Sequence, residues 1–307
     1  MYLYVKMMKF YKAETNGNDF VIIEGESNDL PEKQKKLIPD RKFGIGCDQL
    51  IFVKREGSRC WVEFFNQDGS HANMCGNGSC AVALLINKKY GVNNVELEVV
   101  NNGVENTNCL TRHNASKYSA SVFFRQFVKY FSCQGLRFLS FAKKTLEQAN
   151  SGACLDRFIG RDVVKSKGYN IAPPENIYTI WINKNEVTIA FPLPEQCDNI
   201  IVTGNKHLVL NMSEIDKVDE ISKLNSDCNI HFIEILSKNV IRVKTFERGV
   251  GWTLACGSGA VAVGYHSKLR GKIEIIQDAG KSIVEVKETH VELTTVPKIV
   301  YAGEFYE

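Results

Sequence analysis

The sequence predicts an internally duplicated α/β protein in which each half wraps several strands round one buried helix. A cysteine motif occurs twice, first as FFNQDGSHANMCGNGSCAVALL and later as TFERGVGWTLACGSGAVAVGY. In each copy Cys75 or Cys256 is followed by Gly, a small polar residue and Gly, and Phe65 or Phe246 stands ten positions before it. Uncharged runs at 81–86 and 260–263 follow the glycines and read as buried helices that begin at the cysteine. Short β-branched and aromatic runs on either side of both motifs read as strands.

In chain order, strands are expected at 20–23, 50–54 and 61–65, then the first helix, then a strand at 95–100. The stretch 103–172 departs from this pattern. Its segment FFRQFVKYFSCQGLRFLSFAKKTLEQAN, at 123–150, alternates aromatic and basic residues and reads as an inserted amphipathic helix packing on its own domain, in preference to a membrane-surface helix. After Pro173 and Pro174 the pattern recovers with EVTIAFPLPEQ. Strands follow at 229–236 and 240–246, then the second helix, then strands at 273–277 and 282–287.

The repeat carries its own chemistry. Glycines beside the cysteine let the backbone turn tightly and bring its N–H groups close to a ligand. A helix N-terminus offers free N–H donors and partial positive charge, which suit a carboxylate and are expected to lower the pKa of a cysteine placed there. Two such thiols across a cleft suit inversion of a stereocentre that bears a hydrogen. One thiolate removes the proton from one face and the other thiol returns one to the opposite face, with no pyridoxal cofactor or metal.

Composition excludes several other classes. The chain has 307 residues, is 44% hydrophobic and 24% charged, and carries a net charge of +3 with no clustered basic stripe, which argues against nucleic-acid binding. No apolar run approaches the roughly eighteen residues of a membrane span. The start MYLYVKMMKF is too short and interrupted for a secretory signal, so the ten cysteines read as free thiols in the reducing cytoplasm. Cys75 and Cys80 lack a second ligand pair at zinc spacing, and neither G-x-G pair (Gly44 and Gly46, Gly76 and Gly78) has the third glycine of a dinucleotide site. The remaining cysteines read as small buried hydrophobes or incidental thiols.

At these residues the chain resembles the diaminopimelate epimerase family. The resemblance rests on NGNDFVII at 16–23, FGIGCDQLIFV at 43–53, FNQDGSHANMCGNGSC at 65–80, GNKH at 204–207, Asn229 in CNIHFIEI, and ERGVGWTLACGSGA at 247–260. It implies two pseudo-symmetric domains, each a curved, mostly antiparallel sheet wrapped round a central helix, with the active site in the cleft between them. The expected division is 8–150 for the first domain and 173–292 for the second, with a last strand at about 293–307 returning to the first. Residues 1–7 read as an extension before the family start at Met8-Lys9-Phe10.

The resemblance also implies the activity: cofactor-independent interconversion of LL- and meso-diaminopimelate, on the route to lysine and peptidoglycan, by a cytoplasmic homodimer. Cys75 and Cys256 match the acid–base pair. Gly76 and Asn77, with Gly257 and Ser258, match the groups that bind the α-carboxylate and amino group. Asn18, Gln49, Asn66, Asn205, Asn229 and Arg248 match positions lining the rest of the pocket, most of them at the distal end of the substrate. His207 and Glu247 match the polar pair that tunes the thiols and orients the substrate.

Three positions depart from the pattern. Lys206 replaces the usual proline of GNPH, Cys47 stands where a larger apolar residue is common, and Trp252 takes a position that is often glutamate. The last is expected to reshape the cleft wall and leave the chemistry, because Glu247 is retained. Two alternatives stay open. One is a related cofactor-independent amino-acid racemase, against which Gln49 and the distal asparagines speak. The other is a non-catalytic ligand-binding homologue, against which the retention of both cysteines speaks.

Overall fold

The computed structural model describes residues 7–72, 74–100 and 177–306. The expected amphipathic helix at 123–150, like all of the unusual 103–172 stretch around it, lies outside the described residues. Strands β1 (Met7–Thr15) and β2 (Asn18–Glu24) lead to a short helix α1 (Glu32–Leu37), then β3 (Gln49–Glu56), β4 (Arg59–Asn66) and β5 (His71–Ala72). Helix α2 (Gly76–Tyr90) and β6 (Asn94–Val99) follow. After the undescribed stretch come β7 (Ile177–Asn183), β8 (Glu186–Pro192), β9 (Glu195–Cys197), β10 (Ile200–Val202) and β11 (Lys206–Asn211). The chain continues through helix α3 (Val218–Leu224), β12 (Asn229–Ser237), β13 (Val240–Glu247), β14 (Gly251–Thr253) and helix α4 (Gly257–His266). It ends with β15 (Lys272–Gln277), β16 (Gly280–Val286), β17 (His290–Thr295) and β18 (Lys298–Tyr306). Each strand expected from composition is present, with ends shifted by at most two residues.

Strand pairing repeats in the same order and sense. In the first half β1–β2 is antiparallel, β2–β3 parallel, β3–β4 antiparallel, β4–β6 parallel, and β6–β7 and β7–β8 antiparallel. In the second half β10–β11, β11–β12, β12–β13, β13–β15, β15–β16 and β16–β17 reproduce that series. The halves join where β8 pairs antiparallel with β17, and the last strand β18 pairs with β1 as β9 pairs with β10. By pairing, β7 and β8 go with the first half and lie against α2, so that half runs past the division expected at residue 173.

Each helix is the core of its half. Residues 76–86 of α2 and 257–264 of α4 are all buried. A helix without a polar face is stable only when enclosed on all sides, and the curved sheets supply that enclosure. Small residues set the close approach: a Cβ on Gly264 would come within 2.5 Å of Val284 on β16. Gly91 ends α2 in the left-handed conformation at φ 70°, which a side chain would strain.

Candidate active site

Both motif cysteines are helix N-caps with nearly the same backbone. Cys75 has φ −132° and ψ 107° and its Sγ accepts a hydrogen bond from the Gly78 N–H at 3.3 Å. Cys256 has φ −132° and ψ 118° and its Sγ accepts from the Gly259 N–H at 3.4 Å. The extended cap turns the sulfur back over the first free amides of the helix, the arrangement that satisfies orphan donors. The two helix ends abut. A Cβ on Gly257 would lie 2.7 Å from Asn77 Oδ1 and 3.0 Å from its N, and one on Gly76 would lie 3.6 Å from Ser258 N. The structure therefore brings together Cys75, Gly76, Asn77, Cys256, Gly257 and Ser258 at one junction.

The asparagine-rich signatures surround that junction through paired strand ends. Asp19 and Asp48 each accept the other's backbone N–H, at 3.0 and 3.1 Å, and Arg41 bridges both carboxylates at 2.7 Å. This clamp fixes the starts of β2 and β3, and so the places of Asn18 and Gln49. Asn18 Nδ2 reaches Cys75 Sγ at 3.9 Å, and Gln49 Nε2 donates to Asn66 Oδ1 at 3.2 Å. In the second half Asn229 Oδ1 accepts the Arg248 N–H at 3.0 Å, and Asn205 Nδ2 donates to the Met74 carbonyl next to Cys75 at 3.5 Å. The exposed Arg248 side chain makes no ion pair among the described residues. Gln49 Oε1, both amide atoms of Asn77 and His207 Nε2 are buried with no hydrogen-bond partner among the described residues. Orphaned polar atoms are rare in folded interiors, and several gathered at one place mark a ligand site.

Electrostatics differs from the sequence expectation at the thiols. Burial pushes the Cys75 thiol up to about 12, with the Gly78 amide pulling down and the Glu247 charge adding to the rise. Cys256 is raised well above its ordinary value, first by burial and then by Glu247, while Ser258 and Gly259 oppose. The helix N-termini do favour the thiolates, as anticipated, yet desolvation outweighs them. Glu247 acts on both sulfurs, and its own carboxyl is raised by burial against a 2.7 Å hydrogen bond donated by Thr253. His207 is fully buried and held well below its ordinary value, by burial and then by His231 beside it.

Sequence reasoning missed His231. It lies two residues beyond Asn229 on β12, on the same strand face, and its Nε2 stands 2.8 Å from His207 Nδ1. Its Nδ1 stands 3.1 Å from Thr245 Oγ1 on β13. One ligand atom from each of His207, His231 and Cys256 lies within 4.8 Å of the others, a donor set that suits a soft divalent ion. The shared hydrogen bond already occupies two of the four ring nitrogens. Trp252 lies on β14 with its ring against Phe246 and Phe232 and half its surface exposed. Cys47 is fully buried in the first half, and Lys206 pairs with Asp227. A separate surface cavity of about 420 Å³, lined by Phe52, Lys54, Trp61 and Glu63 among others, includes none of the site residues.

A family model described as "Diaminopimelate epimerase" matches residues 10–118. Curated proteins of the same description extend the match over nearly the whole chain. The diaminopimelate epimerase of Leptospira biflexa is 28% identical, covering 97% of this chain and 98% of its own. That of Caldanaerobacter subterraneus is 29% identical, with 97% and 99% covered. This chain is similar to the diaminopimelate epimerases. Among solved structures, a hydroxyproline epimerase from Agrobacterium vitis shares the fold at a TM-score of 0.58 and 6% identity, covering 98% of this chain and 92% of that one. A phenazine biosynthesis PhzF family protein from Enterococcus faecalis does so at 0.54 and 12%, covering 98% and 100%. At the level of the family, these relatives make the protein an isomerase, built on the two-domain α/β epimerase fold.

Proposed function

We propose that the protein interconverts LL- and meso-diaminopimelate by a two-thiol mechanism without a cofactor. The observation that carries this reading is the pair of N-cap cysteines, matched in backbone, on two helix ends that abut. The α-carboxylate would sit on the free amides of both ends, at Gly76-Asn77 and Gly257-Ser258, where charge building on it as the proton leaves is stabilised. One cysteine, as thiolate, takes the α-hydrogen; the other gives its proton to the opposite face, and the two exchange states.

The thiols are protonated in the resting site, so substrate has to bring the thiolate into being. Its α-ammonium supplies the cation that favours a nearby thiolate. Glu247 would receive that ammonium group, and His207 would serve the thiol proton. Most of Asn18, Gln49, Asn66, Asn205, Asn229 and Arg248 would hold the distal amino-acid end, where the guanidinium of Arg248 suits a carboxylate.

The test is exchange of α-hydrogen with D2O, comparing LL-diaminopimelate with proline, hydroxyproline and simple amino acids. Exchange confined to diaminopimelate is expected. Exchange only with proline or another small amino acid replaces the substrate in this reading, and exchange with none points to a ligand-binding protein.

A further inference from the structure

The two thiols stand on unlike foundations. Strand register makes the two halves comparable position by position. Ile51 faces Phe64 across β3–β4, and His231 faces Thr245 across β12–β13. Phe20 lies opposite Gln49, which opens β3, and His207 lies opposite Asn229, which opens β12. Beneath the Cys75 cap the three matched positions are thus Phe20, Ile51 and Phe64; beneath the Cys256 cap they are His207, His231 and Thr245. Both sets occupy the same place in their half. A Cβ on Gly78 would meet Ile51 and Phe64 at 3.0 Å and Phe20 at 3.3 Å, while one on Gly259 would meet His231 Cε1 at 2.2 Å.

The first half shows that apolar side chains fill this place well. Burying three polar side chains there instead costs desolvation that a packing role alone does not require. The three form one chain: Thr245 Oγ1 with His231 Nδ1 at 3.1 Å, then His231 Nε2 with His207 Nδ1 at 2.8 Å. The chain leaves a single ring nitrogen over, His207 Nε2, buried with no hydrogen-bond partner among the described residues, while His207, His231 and Cys256 each bring one ligand atom within 4.8 Å of the others. With both rings neutral, a proton on His207 Nδ1 makes His231 Nε2 the acceptor, puts the His231 proton on Nδ1 towards Thr245, and leaves His207 Nε2 bare.

We propose that His231, backed by Thr245, is a positioning residue that fixes the ring and tautomer of His207, so that Nε2 serves as acceptor for the Cys256 thiol and for that thiol alone. The proposal rests on the two-thiol reading for its purpose and on the hydrogen-bond chain for its substance. The titratable groups facing Cys256 are Glu247, Cys75, His207 and His231, and Glu247 also acts on Cys75, so Cys75 is the internal control.

The test needs no substrate. Iodoacetamide alkylation of Cys75 and Cys256 is followed across pH by peptide mapping in the wild type, in His231→Ile, which installs the residue of the matched first-half position, and in the near-isosteric Thr245→Val. In His231→Ile, alkylation of Cys256 at neutral pH is expected to speed up about tenfold, the scale of one lost buried hydrogen bond, because a thiol that donates to a neutral ring nitrogen is held protonated by it, with the Cys75 profile unchanged. Thr245→Val should move Cys256 in the same direction by less, and covers the case in which His231→Ile does not fold. Side-chain ¹⁵N spectra should show His207 protonated on Nδ1 in the wild type and mixed in the variants. An equal change at both cysteines, no change or a slowing at Cys256, or a wild-type His207 protonated on Nε2 overturns the proposal. Because no substrate enters, a negative exchange assay with diaminopimelate leaves this result standing, and the reverse also holds.

Discussion

Glu247 shows how a single carboxylate can both restrain and serve a thiol site. Its charge raises both cysteine thiols, and burial raises its own carboxyl. Glu247→Gln removes that charge while keeping an acceptor for Thr253. Alkylation of Cys75 and Cys256 at neutral pH should speed up, while epimerisation slows because the substrate ammonium loses its counter-charge; equal slowing of both would mean the substitution only disturbs packing. Asp19 gives a pH prediction with a definite sign. Burial opposes its charge, yet hydrogen bonds from Arg41 and Lys12 outweigh that and hold it at about 2, against an ordinary 3.8. A carboxylate lowered on folding stabilises above its unfolded value and loses that stabilisation as pH falls through the folded one. Urea unfolding should therefore show the wild type losing stability from this group as pH falls from 3.8 towards about 2. In Asp19→Asn that part of the slope should be missing, and an unchanged acid limb would show that the clamp carries no such energy.

At the scale of elements, the site depends on two helices meeting end to end. Gly257 is where α4 runs against Asn77 of α2, so an added methyl would have to displace the Asn77 amide at 2.7 Å and would still meet the Asn77 backbone N at 3.0 Å. Gly257→Ala should part the helix ends by a fraction of an ångström. We expect turnover to fall about a hundredfold, the scale of a misplacement of this kind, with the melting temperature lowered far less than a core cavity would lower it. Leu84→Ala, deep in α2, should do the opposite: about 2–5 kcal/mol of stability lost, with kcat of the folded fraction retained. If Gly257→Ala turns over normally, the junction does not set the reacting geometry.

The whole molecule adds the relation between the halves. They join at β8–β17 and again where Asn16 Nδ2 donates to Ser282 Oγ at 3.0 Å, so both thiols belong to one continuous structure. Mild oxidation of the substrate-free protein should link Cys75 to Cys256, inactivate it reversibly, and be slowed by bound substrate standing between the sulfurs. Cys75→Ser and Cys256→Ser should each lose epimerisation, since an alcohol is a far weaker base. Peptide mapping that never finds the cross-link, together with near-normal turnover in either serine variant, would sink the two-thiol reading.

The sequence by itself determined what is local. Cys-Gly-x-Gly before an uncharged run specifies an N-capped buried helix wherever it occurs, so the duplication, the two helix starts, both thiols and the strands beside them were legible. Asn18, Gln49 and Glu247 were legible as motif members, because each stands at a strand end that its own signature specifies. Only the tertiary structure decided the direction of the thiol shifts, because desolvation depends on what packs over the sulfur, and nothing local to Cys75 or Cys256 encodes that. His231 and Thr245 were hidden for a related reason: each is an ordinary strand residue until register sets it beside His207. The return of the last strand to the first half was already implied by the family resemblance, but the pairing of β17 with β8 was settled the same way, between strands about a hundred residues apart along the chain.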